Sequence, residues 1–282
     1  MDIISDKVEL REQLADWRQS GEHIALVPTM GSLHDGHLAL VEAAREHAER
    51  VVATVFVNPT QFGEGEDFEE YPRSLELDKR KLKRAKADLL FAPDTETVYP
   101  FGAEFATRVS VPVLADQLCG AARPGHFDGV TSVVTRLFNI VLPDVAVFGQ
   151  KDYQQLLIIR RMVADLSLPI EVVAAPTVRE DDGLAMSSRN QYLNDDERAK
   201  APQLYAVLQD VAHALETGSE DYAALEEQAM QSLRQAGFEP EYVSIRRAES
   251  LETPDRDTDE LVVLAAAKLG GARLIDNVLV HV

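Results

Sequence analysis

Five short, almost uninterrupted apolar runs, at residues 23–27, 51–57, 88–92, 145–148 and 170–174, constrain the fold of this chain more than any other feature. A run that is apolar at nearly every position, rather than at alternate ones, has no face to give to water, so each must be a strand covered on both sides. Between the runs lie segments with apolar residues at helical spacing, the first holding Val8, Leu10, Leu14 and Trp17 before a stop at Gly21. Further helices are expected at about 36–49, 72–87, 129–142 and 153–166. Strand and helix in regular alternation build a parallel sheet with helices on both faces, which predicts an α/β, doubly wound, Rossmann-like fold. Past residue 175 the alternation stops: two helices, at 195–215 and 221–235, precede three strands, at 242–246, 260–267 and 273–280. That order predicts a smaller α+β domain with a mainly antiparallel sheet. The polar stretch 178–183 is the expected hinge, giving domains at 1–177 and 178–282.

Composition excludes several classes. A chain of 282 residues buries enough surface to fold without disulfide or metal staples, and its single cysteine, Cys119, has no internal partner, as expected in a reducing cytoplasm. No apolar run approaches a membrane span, and the acidic first six residues lack the pattern of a signal peptide. A formal charge of −20 argues against nucleic acid as a partner. It leaves room for small anions, because a few local cations can invert the potential of a cleft. Only 8 of the 28 basic residues are lysine, which fits either an ordinary acidic surface or adaptation to a salty cytoplasm.

Candidate chemistry sits where strands end. The stretch Met30, Gly31, Ser32, Leu33, His34, Asp35, Gly36, His37 joins the first apolar run to the next helix. In a doubly wound sheet ligands bind at the carboxyl ends of strands, and a helix N-terminus offers free N–H groups to phosphate. Gly31 and Gly36 have P-loop spacing, but His37 and Leu38 stand where Lys and Ser/Thr are required, so that motif fails. What remains is His-x-Gly-His, whose imidazoles can donate to phosphate oxygens as charge builds. The same pair could be ordinary surface residues, and zinc is the weaker alternative because no third ligand stands at sensible spacing. Gly149, Gln150, Lys151 and Asp152 follow another strand and should face the same cleft, or form a common loop. Met186, Ser187, Ser188 and Arg189 stand beyond the hinge, where they could close over a triphosphate or simply cap a turn. Asn58, Pro59, Thr60, Gln61 and Phe62, and Arg123 to Phe127 through Gly125 and His126, are loops that read as turns or substrate walls.

Together VPTMGSLHDGH, FVNPTQF, YPR, RPGHFDGV, FGQKDYQQL, DGLAMSSRN and LIDN, in this order, closely resemble the pantoate–β-alanine ligase family. That family lies in the nucleotidyltransferase superfamily with an HxGH signature. The resemblance covers essentially the whole chain. It implies a two-step reaction: (R)-pantoate attacks the α-phosphate of Mg-ATP to give pantoyl adenylate and pyrophosphate, then β-alanine takes the acyl group and AMP leaves. It also implies site residues. ATP would lie on Met30 to His37, on 149–152, on Val178 and on Met186, Ser187, Ser188 and Arg189, with His34, His37 and Lys151 catalytic. Pantoate would lie on Gln61, Gln155 and Arg123, and β-alanine near Gln61. Mg2+ is implied with ATP, its protein ligands unassigned, and a homodimer through the larger domain. The superfamily's second signature often begins with Lys; here Ala185 precedes Met186, so Lys151 and Arg189 take the cationic role. Two rivals are open at this point: a nucleotidylyltransferase that leaves the nucleotide on its product, and a non-catalytic nucleotide-sensing module.

Overall fold

The computed structural model describes residues 1–63, 65 and 68–282. Two compact units emerge, Met1–Gln150 with Ile158–Pro176, and Lys151–Leu157 with Thr177–Val282.

The first unit holds β1 (Asp2–Ile4), α1 (Lys7–Gln19), β2 (Ile24–Thr29), α2 (Asp35–His47), β3 (Arg50–Val55), α3 (Leu75–Arg84), β4 (Leu89–Phe91), α4 (Thr95–Val98), α5 (Cys119–Ala122), α6 (His126–Val141), β5 (Val145–Gly149) and β6 (Glu171–Ala175). Helix α7 (Tyr153–Asp165) links β5 to β6. All six strands are parallel, in the order β1-β4-β3-β2-β5-β6. Chain order therefore runs outward from β2 in one direction through β3 and β4, then resumes at β5 on the other side. The reversal between β2 and β5 is the switch point of a doubly wound sheet.

Both faces of the four central strands, β4, β3, β2 and β5, are buried, as the apolar runs require. Ala25, Val27, Val51, Ala53, Leu90, Val145 and Val147 pack with Val41 and Ala44 of α2 and Leu82 of α3. The alternate residues Ile24, Leu26, Val52, Leu89 and Phe91 are equally buried. Phe138 of α6 meets Phe148 with ring centroids 6.4 Å apart on that second face. Arg18 of α1 reaches over to the carbonyls of Val141 and Leu142, tying α1 to the end of α6.

Several boundaries differ from the sequence expectation, each for a local reason. Strand β1 is not legible in the sequence: with three residues and only Ile4 buried, it carries no readable pattern. Strand β2 continues through Pro28 to Thr29. The N–H and C=O of Thr29 turn towards β3, bonding Thr54 Oγ1 and the Phe56 amide. Pro28 therefore faces the β5 side, where pairing has already ended at Leu26, and no ladder bond is lost. Helix α3 starts at Leu75, after Ser74, rather than at Pro72. Helix α6 starts at His126, one turn earlier than expected, immediately after Gly125 at φ +80°.

The second unit contains α8 (Asp195–Lys200), α9 (Gln203–Glu216), α10 (Tyr222–Gln235), β7 (Glu239–Arg247), β8 (Glu260–Leu269) and β9 (Ala272–His281). The strands form an antiparallel sheet in the order β7-β8-β9. Leu204, Leu208, Val211 and Leu215 of α9 close over Val243, Ile245, Val263, Ala265 and Leu274 of the sheet. The single helix expected at 195–215 is two, because Pro202 has no N–H to give and its ring displaces the preceding turn.

Candidate active site

Strand β2 ends at the switch point, and the turn that follows is built before any ligand arrives. Thr29 Oγ1 donates to the Thr54 carbonyl at 2.6 Å and accepts the Gly31 amide at 3.2 Å. Gly31 lies at φ +86°, a conformation that carries no Cβ comfortably, and a Cβ there would come within 3.0 Å of Val55 and 3.1 Å of Asp78. Asp78 of α3, fully buried, receives the next two amides: Ser32 N–H at 3.0 Å and Leu33 N–H at 2.8 Å. Lys81, one turn along, donates to the Leu33 carbonyl. An acid in a helix otherwise dense with Lys and Arg thus fixes the segment that delivers the histidines.

His34 is the N-cap of α2 and His37 stands in its first turn. The rings lie 4.0 Å apart, centroid to centroid. His37 Nδ1 is 3.3 Å from the His34 amide, which can only donate, so Nδ1 accepts and the ring proton belongs on Nε2. That tautomer leaves Nε2–H as a donor above a helix N-terminus whose own partial charge is positive.

Gln61 is reached through a buried amide network. Tyr99 O–H donates to Asn58 Oδ1 at 2.7 Å, and burial pushes the phenol above its usual pKa, keeping that proton in place. Asn58 Nδ2 then donates to Gln61 Oε1 and to the Gly129 carbonyl, each at 3.1 Å. With Oε1 taken, Gln61 presents its Nε2 donors, one of which meets Met30 Sδ at 2.9 Å. Gly129 explains the close approach: a Cβ there would sit 2.3 Å from the Thr60 carbonyl oxygen and 2.6 Å from Gln61 Cα. Arg123 joins the same group indirectly. His126 Nδ1 is 2.7 Å from the Gln61 carbonyl oxygen and must donate to it, leaving Nε2 to accept from Arg123 at 3.0 Å. A cavity of about 400 Å³ opens against this network, with Gln61, Tyr99, Arg108, His126 and Asp128 in its wall.

Gly149 is the last residue of β5, the strand beside β2, and Gln150 follows it. The remaining candidates belong to the second unit. Val178 and Met186 are paired by a bond from the Met186 amide to the Val178 carbonyl at 3.0 Å, with Arg179 opposite Ala185 beside them. Ser187 caps a short 3-10 helix, Ser188–Tyr192, that carries Ser188 and Arg189. Lys151 and Ser187 share a small recess with Asn190 and Asp276. Asp152 is exposed and Gln155 half-buried on the first turn of α7. Among the described residues, no group of three His, Cys, Asp or Glu side chains converges to hold a metal ion.

Asp78, Tyr99, Asn58, Arg179 and Asp276 were not assigned from sequence. Asp78 had one available signal, a lone acid on the inward stripe of a basic helix; Tyr99 lies in irregular chain and had none.

A doubly wound sheet with paired imidazoles at the switch-point turn defines an α/β protein built to take a phosphorylated ligand. Comparison narrows the class. The family model for pantoate-beta-alanine ligase matches residues 2–279, and the chain belongs to that family. It is 56% identical over 274 residues to a pantothenate synthetase from Azotobacter vinelandii, covering 97% of each chain. A pantothenate synthetase from Thioalkalivibrio sulfidiphilus is 57% identical over 277 residues, with 98% of this chain and 97% of the relative covered. The crystal structure of pantothenate synthetase from Thermus thermophilus superposes with a TM-score of 0.92 at 48% identity, covering 99% of both chains. A pantoate-beta-alanine ligase from Francisella tularensis, complexed with beta-gamma ATP and beta-alanine, gives a TM-score of 0.80 at 31% identity, covering 99% of this chain and 97% of the other.

Proposed function

We propose that this chain condenses (R)-pantoate with β-alanine, using ATP and passing through pantoyl adenylate. The observation that carries the reading is the prebuilt turn with His34 and His37 at the switch point, in a chain that belongs to this family along its whole length. In the first step a carboxylate oxygen of pantoate bonds to the α-phosphorus of ATP, and the bond to the β-phosphate bridging oxygen breaks. In the second the amine of β-alanine bonds to the acyl carbon, AMP leaves with the bond electrons, and the nitrogen loses a proton. Carboxylate oxygen is a poor leaving group until it is phosphorylated, which is why the first step must precede the second.

The residue roles follow from the donors. His37 Nε2–H and His34 face the phosphates, together with Met30, Gly31, Ser32, Leu33, Asp35 and Gly36 of the same turn. Gly149, Gln150, Lys151, Asp152, Val178, Met186, Ser187, Ser188 and Arg189 complete the nucleotide contacts, Lys151 and Arg189 meeting the charge of departing pyrophosphate. Gln61, held with its N–H2 outward by Asn58, suits the carboxylate and hydroxyls of pantoate, with Gln155, and with Arg123 acting through His126. Mg2+ would enter with ATP as part of the substrate and would supply charge neutralisation there, since no cluster of acidic or imidazole side chains among the described residues is placed to hold it. A homodimer through the first unit and a cytoplasmic location belong to the same proposal. Phe101, Phe105 and Val113, exposed at 87%, 81% and 76%, support the first by offering apolar surface to cover.

Product analysis tests the reading. ATP, pantoate and β-alanine should yield pantothenate, AMP and pyrophosphate in equal amounts, with AMP release dependent on β-alanine. A product that keeps the nucleotide would establish the nucleotidylyltransferase reading instead, and ATP binding without pantoate-dependent pyrophosphate formation would establish the sensing module.

A further inference from the structure

We propose that Arg179, Asp276 and Asn277 are positioning residues for the adenylation step, two neighbours on β9 holding the two nucleotide segments of the second unit in register. The inference rests on the reading of Lys151 and Met186 to Arg189 as nucleotide contacts.

Those segments lie 35 or more residues apart in sequence, and neither is part of a sheet or long helix. Something must hold them, because donors aimed at developing charge work only if they need not reorganise during reaction. Arg179 supplies one hold. It stands opposite Ala185, beside the bond that pairs Met186 with Val178, so its side chain leaves from the base of the loop that leads into Ser187 and Arg189. Its guanidinium forks onto the Asp276 carboxylate at 2.6 and 2.9 Å and donates to the Gly183 carbonyl at 3.1 Å. Its face lies 3.5 Å from the centroid of the Tyr205 ring. With its fork, a further donor and its face engaged, and its charge balanced by a carboxylate only 2% exposed, Arg179 acts through the loop and not on phosphate.

Asn277 supplies the other hold. Its Nδ2 donates to the Lys151 carbonyl at 2.9 Å, while its own amide donates to Asp276 Oδ1 at 2.8 Å. Consecutive residues of one strand are thus bonded to each other and, separately, to the two segments. Asp276, Lys151 and Ser187 share one recess, so a shift of β9 at this point moves both segments together. Side chains with only a packing duty would not need a forked pair, a stacked ring and an amide relay.

The test separates the half-reactions in Arg179→Lys, Asp276→Asn and Asn277→Ala, with Arg189→Ala as reference. Pantoate-dependent exchange of pyrophosphate into ATP reports adenylation; transfer from supplied pantoyl adenylate to β-alanine reports amidation. Arg179→Lys keeps the charge but loses fork and stack. It and Asp276→Asn should raise KM for Mg-ATP and lower the exchange kcat, at least tenfold in kcat/KM together, and Asn277→Ala at least fivefold. KM for pantoate and the amidation rate should stay within threefold, since the charge these segments neutralise leaves with pyrophosphate. Adding Arg179→Lys to Arg189→Ala should lower exchange by less than threefold more, because both act through one loop. Exchange within twofold of the parent in folded Arg179→Lys or Asp276→Asn overturns the proposal, as does equal loss in both half-reactions. Should those two fail to fold, Asn277→Ala decides by the same criteria. If Arg189→Ala leaves exchange intact, the nucleotide assignment of the loop fails and the proposal with it; if Arg189→Ala is impaired and the others are not, the proposal alone fails.

Discussion

Replacing Asp78 by Asn tests how much of the histidine-bearing turn is held by one buried carboxylate. The carboxylate is fully buried and takes two backbone amides at 3.0 and 2.8 Å, with Ser74 Oγ more distant at 3.4 Å. Asn offers one oxygen, so one bond survives in neutral form. The other amide then faces an N–H2 group, donor against donor. A hydrogen bond to a charged group contributes about 1.5–3 kcal/mol, and an orphaned buried amide costs about 1–3 kcal/mol. Relief of the buried charge offsets part of this, so the expected net loss is about 2–3 kcal/mol. The amides released belong to Ser32 and Leu33, the residues immediately before His34. A displacement of about 1 Å at a reacting group can cost roughly a hundredfold, and pyrophosphate exchange should accordingly fall about 10- to 100-fold. Urea unfolding gives the stability change and exchange kinetics the activity change. Ser74→Ala, which removes only the long contact, should stay within about 0.5 kcal/mol of the parent. An Asp78→Asn protein with an unchanged unfolding midpoint and exchange within twofold of the parent would refute the reasoning.

Further expectations follow from the same geometry. His37→Ala and Lys151→Ala should each slow adenylate formation by about a hundred- to a thousandfold, about 3–4 kcal/mol, with unchanged circular dichroism; near-normal exchange in either removes that residue from the mechanism. Gln61→Ala should raise KM for pantoate and impair both half-reactions while calorimetric Mg-ATP affinity holds, and a collapse of ATP affinity instead would place Gln61 on the nucleotide. Gly129→Ala forces a Cβ to within 2.3 Å of the Thr60 carbonyl oxygen, so it should share the Gln61 signature and destabilise by about 1–3 kcal/mol; wild-type pantoate kinetics would contradict that coupling. The bond to Arg198 holds the Asp182 carboxyl below its ordinary pKa of 3.8, so its stabilising contribution is present at neutral pH and lost as pH falls below that value. The pair is over a third exposed, which limits its worth to about 0.5 kcal/mol. Arg198→Ala should therefore lower the midpoint slightly at pH 7 and by progressively less as pH falls below 3.8, and an effect that grows on acidification would be inconsistent with the pairing.

The parallel sheet was legible because its central strands are buried on both faces and so are written as continuous apolar runs. The order of those strands was not, since alternation says only that each strand is followed by a helix. Nothing in 23–27 and 145–148 announces that β2 and β5 lie side by side, although that adjacency creates the switch point. Boundaries failed where one residue outweighed the pattern: Pro202 split a helix, and Gly125 let α6 begin early enough to bring His126 onto its first turn. The segments that carry His34, His37, Gln61, Lys151 and Arg189 each read equally well as ordinary turns, and stood out only through their order along the chain and their joint resemblance to one family.

Residues that hold those groups in place are harder to see, because they sit inside regular elements and obey most of their rules. Asp78 keeps the helical pattern of α3, and Asp276 and Asn277 interrupt a strand only briefly. Each is nonetheless a polar side chain at a position that the local pattern reserves for the core. Asp276 and Asn277 are the stronger case: consecutive residues of a strand point to opposite faces, yet both are buried, 4% and 5% exposed, so neither face supplies water to satisfy them. A buried polar group must find a partner in the protein or cost several kcal/mol. Two in succession in the middle of a largely apolar strand therefore require that two separate pieces of chain be brought to it. In this molecule those pieces are the turn that carries Lys151 and the base of the loop that leads into Ser187 and Arg189, the two segments proposed above to meet the nucleotide.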